Sequence, residues 1–266
     1  MTKLHSIEGA SKGTVNLPAV FKTPYRPDVI QRAVIAQQSS RRTPYAQYEL
    51  AGRHTSAEYY GQRKEGARIT MNKSMSRLPR IKPGGGGLGQ VRGVSQAKAG
   101  PKLHAPKGTD YTKKINNKEA QLALKSAIAA TSNIDLILQR GHKVSEVPEV
   151  PLVVEDAFES LSKAKDILAA FKKLGLTAEI ERTKTKTTGS SHGVSRGRVK
   201  RTKKSVLIVV GPKSKVLNAA TNIPGVDAVE ATSLTVEDVA PGGKAGRLTV
   251  WTQSALKHLP TQHGTQ

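Results

Sequence analysis

The 266-residue chain has no cysteine, only 4 % aromatic residues, and 20 Asp plus Glu against 43 Lys plus Arg. Without thiols there is no disulfide scaffold and no structural zinc site built on thiolates. Long apolar runs are missing too. The longest purely aliphatic stretch is Val206–Val210, far below the ~20 residues of a membrane-spanning helix, so no membrane partner is expected. The start, Met1-Thr2-Lys3-Leu4-His5, has no apolar stretch of signal-peptide length, which predicts a cytoplasmic location. The seven His are scattered with no pair at metal-ligand spacing, and no metal is expected. What the chain has is positive charge, +23 in total. A polyanion is the expected partner.

The charge is unevenly placed. Residues 53–114 hold 14 Lys or Arg against Glu58, Glu65 and Asp110, and residues 184–204 hold eight Lys or Arg and no acid. Those two segments carry +11 and +8 of the total, so the rest of the chain is close to neutral. The expected organisation is an α/β body formed by 1–52 and 115–266, a long basic insertion over 53–114, and a second basic loop over 184–204 inside the body. The insertion has ten Gly and four Pro in 62 residues and no sustained apolar period. With so little to bury, it cannot offset its ordering entropy alone and is expected to order on a partner. Two arms of about 30 residues at ~3.3 Å each would reach at most roughly 100 Å.

The near-neutral part alternates helices and strands. Ala120, Ala123, Leu124, Ala127, Ile128 and Thr131 form a helical stripe, and a short helix capped by Ser132 or Asn133 should bury Ile134, Ile137 and Leu138. Leu152–Val154 reads as a buried strand. Ser162 should cap a helix with Ala164, Ile167, Leu168, Phe171 and Leu174 inside and Gly175 as its stop. Thr177–Glu181 alternates like a strand, and the Val206–Val210 run suits a strand covered on both faces. A helix near 213–221, a strand near 226–231, a capping-box pair Thr235/Asp238, a strand over 248–252 and a last helical turn to Leu259 follow. At the front, 3–7 and 14–21 should form a hairpin, followed by a helix burying Val29, Ile30, Ala33 and Val34. The pattern predicts a doubly wound, mostly parallel sheet with helices on both faces, plus the extended basic insertion.

Motifs suggesting catalysis lack their structural setting. Gly84–Gly89 satisfies G-x-G-x-x-G, but Pro79–Pro83 precedes it where a strand should lead in. Gly189-Ser190-Ser191-His192-Gly193 matches G-x-S-x-G within a Thr/Lys/Arg-rich run, where an RNA-contacting loop is the preferred reading over a nucleophile. Glu155-Asp156 follows a strand, and is read as acids favouring the next helix N-terminus. Val210–Ser214 is a strand–Gly–helix junction that could offer N–H groups to a phosphate, though it lacks the P-loop pattern. No catalytic residue and no cofactor are expected.

The basic side chains carry the stronger signal. In the insertion Arg53, Arg63, Lys64, Arg68, Lys73, Arg77, Arg80, Lys82, Arg92, Lys98, Lys102 and Lys107 are spread out, which suits many phosphates along a path better than a localisation signal. Lys184, Lys186, Arg196, Arg198, Lys200, Arg201, Lys203 and Lys204 form the second set. Tyr45, Tyr48, Tyr59 and Tyr60, at the insertion's entry, could stack on unpaired bases or equally pack at the loop's root.

Gly52–Glu58, Arg77-Leu78-Pro79-Arg80-Ile81-Lys82 with its glycine run, Ala105-Pro106-Lys107, Asn117-Lys118, Leu152–Asp156, Asn218–Pro224 and Leu248–Leu256 occur in an order that resembles the large-subunit ribosomal protein L4 family, in its archaeal and eukaryotic branch. The resemblance spans nearly the whole chain. It implies an α/β body on the large subunit's surface and a loop, here 53–114, that threads through ribosomal RNA and lines a constriction of the peptide exit tunnel. It also implies neighbouring large-subunit proteins and the nascent polypeptide as partners. A long Lys-rich C-terminal extension typical of eukaryotic members is not seen, which favours an archaeal member. The rival expectation is an RNA-modifying enzyme with a Rossmann-like cofactor domain, for which no fingerprint is found. A chromatin-like basic protein fits the charge but not the α/β portion.

Overall fold

The computed structural model describes residues 2–46, 48–59, 70, 73–82, 89–98, 100, 101, 103, 108–189, 192–197 and 199–259. Two compact units result: Met1–Ser39 with Lys113–Gln266, and Ser40–Thr112. The first is α/β. Its strands are β1 (Thr2–His5), β2 (Ser11–Val15), β3 (Leu152–Val154), β4 (Thr187–Thr188), β5 (Lys200–Arg201), β6 (Leu207–Val210), β7 (Asp227–Glu230) and β8 (Thr249–Thr252). Its helices are α1 (Pro27–Ser40, one residue past the boundary), α2 (Asn117–Ala130), α3 (Ile134–Arg140), α4 (Ala164–Lys173), α5 (Thr177–Lys184), α6 (His192–Ser195), α7 (Val216–Ala220), α8 (Val236–Val239) and α9 (Gln253–Lys257).

Six strands form one sheet in the order β2-β1-β3-β8-β6-β7. All neighbours run parallel except the β1–β2 hairpin. Alternation along the strands divides their side chains between two cores. Val153, Leu207, Val209 and Trp251 meet apolar residues of α1, α2, α8 and α9. Leu152, Val154, Ile208, Val210 and Val250 meet those of α3, α4, α5 and α7. Helices therefore cover both faces, which is why β6 is aliphatic at every position. Trp251 is fully buried; its ring lies edge-on to Phe21 at 5.5 Å, and its Nε1–H donates to Thr249 Oγ1 at 2.9 Å. Burying such a side chain contributes roughly 1.5–3 kcal/mol.

Several local expectations are corrected. Residues 177–184 are helical, not a strand. Leu176, Glu179, Ile180 and Thr183 are the buried positions, spaced at helical period, and the five-residue alternation was too short to exclude it. The cap of α4 is Lys163, without a side-chain bond, instead of Ser162. Asn133 does cap α3, accepting the Asp135 N–H at 3.0 Å, but only Ile137 is buried there; Ile134 and Leu138 are about half exposed. The front hairpin's second strand ends at Val15, and Ala19–Lys22 is a 3-10 turn. The Thr235/Asp238 capping box is complete, each side chain bonding the other's backbone N–H.

Candidate nucleic-acid interface

The described residues of the second basic segment include a short hairpin. β4 pairs antiparallel with β5, Thr187 opposite Arg201 and Thr188 opposite Lys200, and the Gly189 N–H donates to Val199 O at 2.6 Å. The short α6 lies between the strands. Lys184, Lys186, Arg196, Lys200 and Arg201 are exposed, while Lys203 is half-buried. Arg198, Ser190 and Ser191 lie outside the described residues.

The hairpin's two roots meet at two carboxylates, one fully buried and one half-buried. The Glu179 side chain is fully buried. Its Oε1 accepts from His142 Nδ1 (2.7 Å), Arg182 Nη2 (2.7 Å) and Ser205 Oγ (3.1 Å), and its Oε2 from Arg182 Nε (2.9 Å) and the Lys143 N–H (3.0 Å). Burial alone would raise its pKa, but the hydrogen bonds from His142 and Arg182 hold it at about 2. Burial pushes His142 below its usual value despite that carboxylate. A neutral ring donating from Nδ1 fits, because His142 Nε2 is buried with no acceptor among the described residues. Arg182 Nη2 also donates to Lys204 O at 2.8 Å, tying the outgoing root to the incoming one.

The second carboxylate is Asp227. Lys204 Nζ donates to both its oxygens, at 2.9 and 2.8 Å, and Arg247 Nη2 donates at 2.5 Å. Arg247 is 1 % exposed and also donates to Ser205 O and Asp238 O, both at 2.8 Å. Burial would raise the Asp227 pKa, but Arg247 and Lys204 keep it below the usual range. Lys204, expected as a free RNA contact, is therefore held by the body. Nothing in the local sequence flagged Glu179, Asp227 or Arg247, whose partners lie up to 42 residues away.

In the unit Ser40–Thr112, Arg80 bridges antiparallel to both Glu58 and Val91, so part of the insertion doubles back instead of running as two plain arms. The Arg80 guanidinium is used internally, on Ser76 Oγ (2.8 Å), Ser76 O (3.4 Å) and Gly89 O (3.3 Å). Lys82 pairs with Glu58 at 2.7 Å, and Arg92 donates to Gln90 Oε1 at 2.9 Å. Arg53, Lys73, Arg77 and Lys98 are exposed. Tyr45, Tyr48 and Tyr59 are 85, 61 and 50 % exposed. Tyr48 stacks on His54 with ring centroids 5.2 Å apart, and Arg42 lies 3.9 Å over the Tyr111 ring. Tyr60, Arg63, Lys64, Arg68, Lys102, Lys107 and Gly84–Leu88 lie outside the described residues.

The remaining motifs have structural partners. The Gly211 N–H, expected as open to a phosphate, donates to Glu159 Oε1 at 2.9 Å, and the same oxygen accepts from Thr252 at 2.6 Å and from Ser254 Oγ. The junction is already filled by a carboxylate. Glu155 pairs with Lys12 at 2.6 Å and Asp156 accepts the Ser254 N–H at 2.7 Å. Among the described residues no cluster of three or more metal-ligating side chains occurs, and no helix is long and apolar enough to cross a membrane.

The model of the ribosomal protein L4/L1 family matches residues 15–262. Similar full-length relatives include the large ribosomal subunit protein uL4 of Methanococcoides burtonii, 43 % identical over 95 % of both chains. That of Methanopyrus kandleri is 41 % identical over 97 % of both. That of Haloquadratum walsbyi is 40 % identical over 97 % of this chain and 98 % of its own.

Proposed function

The chain belongs to the ribosomal protein L4/L1 family, and from that membership we propose that it is a structural, non-catalytic component of the cytoplasmic large ribosomal subunit that binds the subunit's RNA. Exposed Lys184, Lys186, Arg196, Lys200 and Arg201 on the hairpin, with Lys203 beside them, contact phosphates. So do Arg53, Lys73, Arg77 and Lys98 of the insertion, together with Arg63, Lys64, Arg68, Arg92, Lys102, Lys107 and Arg198. Tyr45, Tyr48, Tyr59 and Tyr60 stack on unpaired bases. Lys82, Arg80 and Lys204 act mainly by shaping the elements that carry the others. The insertion extends further on RNA than it does alone, reaches the exit tunnel and lines part of its wall, where it meets the nascent polypeptide. Neighbouring large-subunit proteins complete its surroundings.

The observation that carries this reading is the concentration of excess positive charge in two segments of an otherwise near-neutral chain, with the hairpin cations exposed on an element whose roots are fixed. The test is sedimentation of a native lysate followed by rising-salt washes. A surface contact with about ten phosphates loses roughly 10³–10⁵ in affinity between 50 and 200 mM salt. Retention on the large subunit, one copy each, through that wash is expected if the insertion is embedded in RNA. Migration as a free protein, or release at modest salt, would refute it.

A further inference from the structure

We propose that a groove in the body, between α1 and residues 113–115, receives one unpaired nucleotide of an RNA strand, with its base against Ile35 and Ile115 and its phosphate at Lys113 and Lys114. This rests on the RNA-binding reading above and adds a site on the body, where the last two lysines of the basic segment 53–114 lie beside α1. The groove has a volume of about 610 Å³, within the ~300–1,000 Å³ of sites that hold small organic groups. Asp28, Gln31, Arg32, Ile35 and Ala36 form its helical wall, a stripe at i, i+3, i+4, i+7 and i+8 on α1. The opposite stripe of the same helix, Val29, Ile30, Ala33 and Val34, is spent on the core.

Ile35, 42 % exposed on this outer stripe, and half-buried Ile115 give the groove an apolar wall. The charges around it are graded. Asp28 is neutralised by Arg26, Nε on Oδ1 at 3.0 Å and Nη2 on Oδ2 at 2.7 Å, and Arg32 is matched by Glu119 at 2.9 Å. Lys113 and Lys114 are exposed and form no hydrogen bond or ion pair among the described residues. The groove thus offers an apolar wall beside two unopposed ammonium groups. A nucleotide presents that combination, a π-face and a phosphodiester. An acidic peptide would answer the lysines and leave the apolar wall exposed. A free nucleotide would need donors for its terminal phosphate, and the α1 N-terminus already carries Asp28.

The test measures binding of the full chain to single-stranded oligouridylate across 50–200 mM salt, with uridine monophosphate and oligoglutamate as the other ligands. Lys113→Ala/Lys114→Ala should make the log–log salt slope shallower by about 0.7, the contribution of one phosphate contact on a single strand. Ile35→Ala should lower affinity several-fold at unchanged slope. Trp251 fluorescence reports whether each variant is folded. If the groove variants bind as the parent does while Lys200→Ala/Arg201→Ala binds weakly, the groove proposal falls and the RNA reading stands. If the parent itself does not bind oligouridylate, both fall. Loss of oligoglutamate or uridine monophosphate binding alone would assign the groove to an acidic protein segment or a free nucleotide and overturn the proposal.

Discussion

Replacing Glu179 by Gln keeps the shape of the side chain and removes its charge, which isolates what the buried carboxylate does for the body. Five donor contacts converge on its two oxygens, from His142, Arg182 twice, Ser205 and the Lys143 N–H. An amide can accept at one end only, so its NH2 would face donors, and the Arg182 guanidinium, 16 % exposed, would lose its counter-charge. Breaking a buried ion pair from one side costs about 3–5 kcal/mol. An independent route gives a similar figure. A carboxyl held at about 2 in the folded chain, against an ordinary 4.5, contributes roughly 3 kcal/mol at neutral pH. The folded pKa is the lower one, so this stability is present above pH ~4.5 and is lost as pH falls towards 2. Urea is the suitable denaturant because it carries no charge, and Trp251, the only tryptophan, reports on the core. Glu179→Gln should lower the unfolding free energy by about 3 kcal/mol at pH 7. The gap to the parent should close by roughly 1.4 kcal/mol per pH unit below 4.5. A loss under about 1 kcal/mol at pH 7, or a gap that persists at pH 2.5, would refute this account.

The capping box makes Thr235→Ala a cost of about 1 kcal/mol, read as a shift of the urea midpoint with unchanged slope; no shift would mean α8 is held by packing alone. At Gly225, φ is +80° and an added Cβ would collide with Lys203 O. Gly225→Ala should therefore exceed the ~1–2 kcal/mol of left-handed strain, and a neutral result in the same urea melt would contradict the close approach at the hairpin root. Arg247→Lys keeps the charge but cannot reach Ser205 O, Asp238 O and Asp227 together, and should cost about 2–4 kcal/mol; full stability would show that charge alone suffices there.

Much of the body is legible in the sequence because its signals are local. Val206–Val210 is aliphatic throughout and becomes β6, buried on both faces. The stripe through Ile167 and Phe171, stopped by Gly175 at φ +76°, becomes α4. Where the signal is short it misleads: Thr177–Glu181 alternates like a strand, yet its burial follows Leu176, Glu179, Ile180 and Thr183. Ile134 and Leu138 suit a buried helical face in a sequence, but the described residues cover only about half of each. The candidate interface is legible as charge and illegible as geometry. Arg80, Lys82 and Lys204 look like any other cation in the two basic segments. Their partners Gly89, Glu58 and Asp227 stand 9, 24 and 23 residues away, and such pairings emerge only from the folded chain.

The strand order also has a consequence for how the chain is made. β8, residues 249–252, lies between β3 and β6 and pairs with both. The sheet cannot close until synthesis has passed residue 252, and its central pairing joins segments about a hundred residues apart, a non-local topology that folds slowly. Residues 53–114 with their +11 charge are therefore complete while the sheet still lacks its centre. For that interval the new chain is a strongly basic polymer beside unpaired strand edges, and nearby polyanions compete with its own folding.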